Sequence, residues 1–142
     1  MKKLTVTVVL LVLACRPAAG DKENLQQLKA RAATAGGGKQ VELFTRIAEI
    51  QVEELDRAYD EGQTEEARAA LADVQEYGVK AARTSEATGK RMKQTEIAIR
   101  RIAKRLDEIR KTLAVDERPP VNTAIEQLEN ARTALLHSMF AK

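Results

Sequence analysis

The sequence predicts an all-α protein, with antiparallel helical hairpins arranged along one long coiled-coil-like helix to give an elongated shape. Beyond residue 20, apolar residues recur at steps of three and four, which is the period of an amphipathic helix. Glycines and prolines separate these apolar stripes, as expected where helices end. Two Tyr, two Phe and no Trp leave a core of Leu, Ile, Val and Ala, and 142 residues fit one domain.

The first residues are typical of an export signal. Lys2 and Lys3 give a basic start, and a mostly apolar stretch follows at 4–14. As a helix, this stretch would be about 16 Å long, which is roughly half the apolar thickness of a bilayer. We therefore expect export across the cytoplasmic membrane of a bacterium and a location in the periplasm or cell envelope.

Two cleavage sites compete in this segment. Val12-Leu13-Ala14-Cys15 resembles the lipobox of bacterial lipoproteins, although that family prefers leucine at the first position and a smaller residue at the second. The resemblance implies a signal of 1–14 and a lipid anchor on Cys15. Ordinary secretory cleavage would instead follow the small residue Gly20, remove 1–20 and leave a soluble chain. Either product lacks a free thiol in the folded domain.

The segments after the signal predict a short helix and then a longer one. Residues 21–34 form a polar helix, and the three glycines that follow form a linker, so 21–38 is one segment of the chain. Residues 39–142 form the main helical domain. Its first helix spans 39–61 and has an apolar stripe made of Val41, Phe44, Ala48, Val52, Leu55 and Tyr59.

The third helix carries an unbroken heptad seam, which is the basis of the elongated form. Its fourteen positions alternate steps of four and three over 47 residues, about 70 Å of helix. Pro119 and Pro120 stop the helix, because proline lacks an amide donor. The seam consists of Ala67, Leu71, Val74, Gly78, Ala81, Ser85, Thr88, Met92, Thr95, Ile99, Ile102, Leu106, Ile109 and Leu113.

Two shorter helices are expected to fold back on the long one. The helix at 39–61 would pair Phe44 with Ala81, and a last helix at 121–140 would fold back at the prolines. Neither helix reaches residues 85–94, where the side chains of the seam are small and polar. We therefore expect a continuous rod in which 85–94 forms an exposed segment, the waist. A glycine inside a helix costs about 1 kcal/mol, which such a rod tolerates. The alternative is a compact three- to four-helix bundle with a bend near Gly89.

Two stretches resemble known helical proteins. Residues 59–71, with Gly62 and Ala67 at matching spacing, resemble the turn of a tetratricopeptide repeat over half of one repeat, without a second copy. A tight hairpin of two helices would also need glycine at the turn and alanine where the helices cross, so it explains the same two residues without a repeat. Residues 93–121 (Lys-Gln-Thr-Glu-Ile to Asp-Glu-Arg-Pro-Pro-Val) and 135–140 (Leu-Leu-His-Ser-Met-Phe) resemble small exported helical bacterial proteins of uncharacterised function, which implies no activity.

Charge is segregated along the chain. The 24 Lys and Arg and 21 Asp and Glu become balanced once the three basic residues before Asp21 are removed. Residues 39–76 hold four basic and eleven acidic side chains, whereas 90–111 hold nine basic and three acidic ones, so a rod would be acidic at one end and basic toward the other. Six cations at outward positions form a basic ridge: Lys90, Lys93, Arg100, Arg101, Lys104 and Lys111.

Catalytic and metal-binding constellations are missing from the sequence. One His and one Cys cannot build a zinc site. His137 and Ser138 are adjacent, so on a helix they point about 100° apart and cannot act as base and nucleophile. We therefore expect a surface histidine, no enzyme activity, and no cofactor or metal.

The predicted function is that of a structural or interaction protein of the envelope. The basic ridge would bind an anionic partner found outside the cytoplasm, such as lipid head groups, envelope polymers or an acidic protein, or a second copy of the chain. Nucleic acid is not expected, because the protein is exported and the basic stretch has no aromatic residue to stack on a base. The alternative is a periplasmic helical bundle that binds a small ligand near the waist.

Overall fold

The structure is a computed structural model that describes the backbone of residues 20–141 and the side chains of residues 25–141. Cys15 and the rest of the predicted export signal up to residue 19 lie outside the described residues. The described part contains five α-helices, one 3-10 turn and no strand, so the predicted all-α class is confirmed. The helices are α1 Gly20–Thr34, α2 Gly37–Asp60, α3 Thr64–Thr88, α4 Met92–Thr112 and α5 Arg118–Phe140, with the 3-10 turn at Val115–Glu117.

The continuous rod is wrong, because the third predicted helix is two helices separated by a turn at 89–91. Gly89, with φ 67°, and Arg91, with φ 55°, both adopt the left-handed conformation. α4 therefore runs back beside α2 and α3, and α5 packs against α3 and α4. The molecule has the form of the alternative prediction, a compact bundle with its bend at Gly89.

Burial between distant segments explains why the chain turns here. One apolar core contains Leu55 of α2, Val74 of α3, Leu106 of α4 and Leu128 of α5. In a rod, α4 would lie beyond the reach of α2. A large apolar side chain contributes about 1.5–3 kcal/mol when fully buried, whereas a residue in the left-handed conformation costs about 1–2 kcal/mol. A few contacts between α4 and α2 therefore outweigh the strain of the turn.

Gly78 lets α3 and α5 approach closely. A Cβ atom at this position would lie 2.5 Å from Leu128 Cδ2 and 3.7 Å from Ile99 Cδ1. Leu128 and Ile99 are both 0% exposed, so neither side chain has free space to move into. Glycine at this seam position is thus a packing residue that accommodates a leucine from the opposite helix.

Ser85 is buried, so the predicted exposed waist is wrong at this residue. Its side chain is 0% exposed, and its hydroxyl donates a 2.6 Å hydrogen bond to the carbonyl of Lys90 in the turn. Thr95 at the start of α4 is buried as well, whereas Thr88 is exposed. The seam is small and polar here because the two helices converge and a turn carbonyl needs a donor.

Replacing Ser85 by leucine is expected to destabilise the protein by about 1–3 kcal/mol, because the larger side chain overpacks a buried position. Ser85→Ala should cost about 0.5–1.5 kcal/mol, since it removes the hydrogen bond alone. Ala87→Leu is the matched control at an exposed position of α3 beside the turn, and it should be close to neutral. Urea unfolding followed by circular dichroism measures all three changes. A neutral Ser85→Leu variant would contradict the packing of this turn.

α1 is fastened to the α2–α3 hairpin by a second apolar cluster and by an ion pair. Leu28 of α1 packs in a cluster that also contains Phe44 and Ala81, the two residues expected to pair. Lys29 Nζ lies 2.7 Å from Asp73 Oδ2 of α3. The first helix is therefore part of the folded bundle.

Element ends differ from the prediction by a few residues. The glycine linker is shorter than expected, because only residues 35–36 are non-helical and α2 begins at Gly37. Pro119 and Pro120 lie in the first turn of α5, where a missing amide donor removes no hydrogen bond. Among the described helices, none has both the length and the apolar character that a membrane span needs.

Candidate anion-binding surface

The candidate surface lies on α4 and the turn before it. The register of α4 directs its apolar stripe into the core, where Ile99, Ile102, Leu106 and Ile109 are at most 2% exposed. The opposite side of the helix carries five ridge cations, all exposed: Lys93, Arg100, Arg101, Lys104 and Lys111. Lys90 is exposed too, but it lies in the turn and not in a helix.

Two of the six cations of the basic ridge form ion pairs with carboxylates, and four do not. Lys111 Nζ lies 3.0 Å from Asp107 Oδ2. Arg100 Nε lies 3.7 Å from Glu96 Oε1, an atom that also accepts a 2.9 Å hydrogen bond from Arg132. The remaining four cations form no ion pair with any residue of 25–141: Lys90, Lys93, Arg101 and Lys104.

Asp107 forms ion pairs with both cations of the last turn of α4, Arg110 and Lys111. The hydrogen bond from Arg110, followed by that from Lys111, lowers the pKa of Asp107 below its ordinary value. This carboxylate therefore stays ionised at pH values where an isolated aspartate begins to take up a proton. The ridge cations without ion pairs accordingly lie on the N-terminal side of Asp107, between residues 90 and 104.

Two further cations without ion pairs border the same end of α4, and the sequence did not assign them to the site. Arg91 lies in the turn, and a continuous helix would have directed its side chain away from the ridge. Arg46 belongs to the acidic segment 39–76, and only the fold brings it beside α4. Neither forms an ion pair within residues 25–141.

An open groove of about 350 Å³ runs between α2 and α4. Its walls include three guanidinium groups, from Arg46, Arg91 and Arg101, and two carboxylates, from Glu42 and Glu49. Guanidinium groups match the planar geometry of carboxylates and phosphates. The two glutamates reduce the net charge of the walls, so the groove is a weaker attractor for anions than its arginines alone would be.

The acidic and basic halves of the chain lie side by side, so the end-to-end charge separation expected for the rod is wrong. Arg105 of α4 extends toward α2, where its Nη2 lies 2.6 Å from Asp56 Oδ2 and its Nε lies 3.5 Å from Glu53 Oε1. Part of the basic stretch thus holds α4 to α2, and the basic ridge is what remains exposed.

Residues with catalytic or metal-binding chemistry are not clustered in the part of the chain that the structure describes. Residues 25–141 hold no group of three or more His, Cys, Asp or Glu side chains that could bind a metal ion. His137 is exposed, as expected. Ser138 donates a 2.9 Å hydrogen bond to Glu86 of α3, so its hydroxyl has a structural partner.

No family model, no curated protein and no solved structure matches this chain. Two resemblances therefore stay predictions. These are the resemblance of 59–71 to a tetratricopeptide turn and the resemblance of 93–121 and 135–140 to exported helical proteins.

Proposed function

We propose that this protein is a non-enzymatic helical protein of the bacterial cell envelope that binds anionic lipid head groups through its basic ridge. One observation carries the proposal. Four ridge cations, which lie between residues 90 and 104, are exposed and have no ion-pair partner among residues 25–141. By contrast, Arg57, Arg105 and Arg132 each contact at least one carboxylate.

Unpaired cations favour an anionic surface more than paired ones do. A Lys or Arg close to an anionic leaflet contributes about 1 kcal/mol of binding free energy. A paired cation would first have to give up its carboxylate, so its net contribution is smaller. Four unpaired cations together correspond to binding in about the millimolar range, which is weak and reversible.

The expected lipid anchor would make such weak binding sufficient. Stable attachment to a membrane generally takes two signals, for example a lipid chain together with a basic patch. Lipid on Cys15 would supply the first signal, and the basic ridge would supply the second. If cleavage after Gly20 is used instead, the ridge alone would bring a soluble periplasmic protein to the surface.

Vesicle binding tests the ridge in a chain that starts at Asp21 and carries no lipid. At low salt, wild type should sediment with vesicles of phosphatidylglycerol and phosphatidylcholine. The variant Lys93→Glu/Arg101→Glu/Lys104→Glu should stay in the supernatant. Wild type should be released at 1 M salt, where charges are screened beyond about 3 Å.

A second triple variant controls for net charge. Arg31→Glu/Arg68→Glu/Arg83→Glu makes the same change in net charge at exposed positions of α1 and α3, and it should keep most of the binding. Equal losses in both variants would mean that net charge, and not the ridge, drives binding. Ridge-dependent association of wild type without vesicles, seen by sedimentation velocity, would identify a second copy as the partner. If wild type neither binds nor associates at low salt, the proposal is wrong.

The groove between α2 and α4 supports a second candidate function, the binding of a small phosphate or carboxylate compound. Its volume of about 350 Å³ falls within the range of about 300–1,000 Å³ that is usual for ligand sites. The groove also borders the turn at 89–91, where the small-ligand alternative placed its pocket. Three arginines without ion pairs supply the donors for an anion.

Arg46 separates this candidate from the first, because it lines the groove and is not part of the basic ridge. Titration with inorganic phosphate, followed by amide NMR shifts, should affect residues 42–49 and 91–101 in wild type. Arg46→Gln should weaken the binding about tenfold, the effect of losing one charged hydrogen bond. Lys93→Gln, outside the groove, should change little. Absent shifts, or the same affinity in Arg46→Gln, would exclude the groove as an anion site.

A further inference from the structure

The heptad seam passes through the turn between α3 and α4 without losing its register. Ala81 and Ser85 are buried on α3, and Thr95 and Ile99 are buried on α4. The same four- and three-residue steps connect them across the turn at 89–91. The sequence of this region is therefore compatible with two structures, the observed turn and an uninterrupted helix over 64–112.

The turn stores backbone strain that a continuous helix would release. Arg91 has φ 55°, and it is the single non-glycine residue with positive φ among residues 20–141. Gly89 has φ 67°, and a Cβ added there would meet no atom within 4 Å. The first turn of α4 has no side-chain cap. Short strained connections of this kind favour the exchange of elements between copies.

Apart from the Ser85–Lys90 hydrogen bond within the turn, α3 and α4 are held in place by contacts that a second copy can supply equally well. α5 covers α3 where Leu128 lies over Gly78. α4 is held to α2 by the ion pair of Arg105 with Asp56. None of these contacts depends on which chain contributes α4 and α5.

We infer that two copies of this chain exchange their α4–α5 hairpins, and that α3 and α4 join into one long helix in the exchanged dimer. The joined helices of the two copies cross near residue 90. In that arrangement Ser85 of one copy lies opposite Thr95 of the other. Small side chains at this crossing allow the two helices to approach. The inference does not depend on the function proposed for the basic ridge.

Like charges oppose the exchange at low ionic strength. Lys90, Arg91 and Lys93 of both copies come together where the joined helices cross, and none of them has an ion-pair partner within residues 25–141. Salt screens repulsion between exposed charges. The exchanged dimer is therefore best sought at high salt, after refolding from urea at high protein concentration so that the hairpins can open.

Opposite substitutions in the turn test the inference. Gly89→Ala disfavours the left-handed turn by about 1 kcal/mol and favours helix by about 1 kcal/mol, so it should shift the hinge about 30-fold toward the joined form. Two hinges open in each dimer, which gives a rise of about 1,000-fold in the dimerisation constant. Arg91→Gly relieves the strain and disfavours helix, so it should lower dimerisation below that of wild type. Sedimentation velocity measures all three proteins.

An exchange of charges distinguishes hairpin exchange from ordinary side-by-side association. Asp56 and Arg105 are 30% and 35% exposed, so their charges can be reversed without cutting into the core. Asp56→Lys alone and Arg105→Glu alone each place like charges between α2 and α4. When the two variants are refolded together, hairpin exchange pairs Lys with Glu and Asp with Arg in a mixed dimer. Native mass spectrometry should show mixed dimers in excess over the random half.

The outcomes that overturn the inference are specific. The inference is wrong if the Gly89→Ala variant remains a monomer at high salt and high protein concentration. It is also wrong if Gly89→Ala and Arg91→Gly dimerise equally, because the turn would then play no part in dimerisation. A random mixture in the charge-exchange experiment would show that α4 stays on its own chain, and any dimer would be of another kind.

Discussion

Leu128→Ala is expected to lower the free energy of unfolding by about 2–5 kcal/mol, the range measured for leucine truncations in packed cores. Leu128 is 0% exposed, and it lies over Gly78, where α3 and α5 are close. Truncation leaves a cavity lined by residues such as Val74 and Ile99, which belong to other helices. These helices cannot all move inward at once, so we expect a value in the upper half of the range. Urea unfolding followed by circular dichroism measures it.

The sign of a second substitution, Gly78→Ala, should depend on Leu128. In wild type, the added methyl group would lie 2.5 Å from Leu128 Cδ2, so overpacking should cost about 1–3 kcal/mol. In the Leu128→Ala background the same methyl group enters the cavity, and alanine also favours helix over glycine by about 1 kcal/mol. Gly78→Ala should then stabilise the protein. A Gly78→Ala effect that is equal in both backgrounds would contradict direct packing between these two residues.

The buried residues could be predicted from the sequence, but the direction of the chain after Thr88 could not. The seam correctly identifies Ile99 and Leu106 as core residues, because their faces are fixed by helical periodicity alone. The same periodicity holds for a continuous helix and for two helices joined by a turn of matching length. The choice between them depends on buried contacts between distant helices, such as the packing of Leu128 of α5 over Gly78 of α3. Local sequence patterns do not encode contacts between residues so far apart.

The place of the candidate site could be predicted, but its electrostatics could not. Register alone indicates that Lys93 and Lys104 point outward, and both are exposed. Some pairings lie within α4 and follow from a four-residue spacing, as for Lys111 with Asp107. Other cations find their partners on other helices, as Arg105 does with Asp56 of α2. The groove was missed for the same reason, because Arg46 and Arg101 meet only after α4 folds back onto α2.

Phe44→Ala is expected to cost about 3–5 kcal/mol and to loosen α1 in particular. Phe44 is 8% exposed and belongs to the cluster that joins α1 to the α2–α3 hairpin. Its ring centroid lies 5.8 Å from that of Tyr77, in a tilted arrangement that adds about 0.5–1.5 kcal/mol beyond burial. The Lys80 ammonium lies 5.9 Å from the Phe44 ring centroid. Removal of the ring therefore weakens three kinds of contact at once.

Amide hydrogen exchange shows which helices lose stability in the Phe44→Ala variant. In Phe44→Ala, protection should fall first in α1, because Leu28 and Ala32 pack in the same cluster. Protection around Leu106 should fall only as far as the global stability does, since that residue belongs to the other core. Phe44→Leu is the matched control, and it should keep most of the burial while losing the ring contacts. If α1 keeps its protection in Phe44→Ala, then the cluster does not hold α1 in place, and α1 would have to be fastened by the ion pair of Lys29 with Asp73 instead.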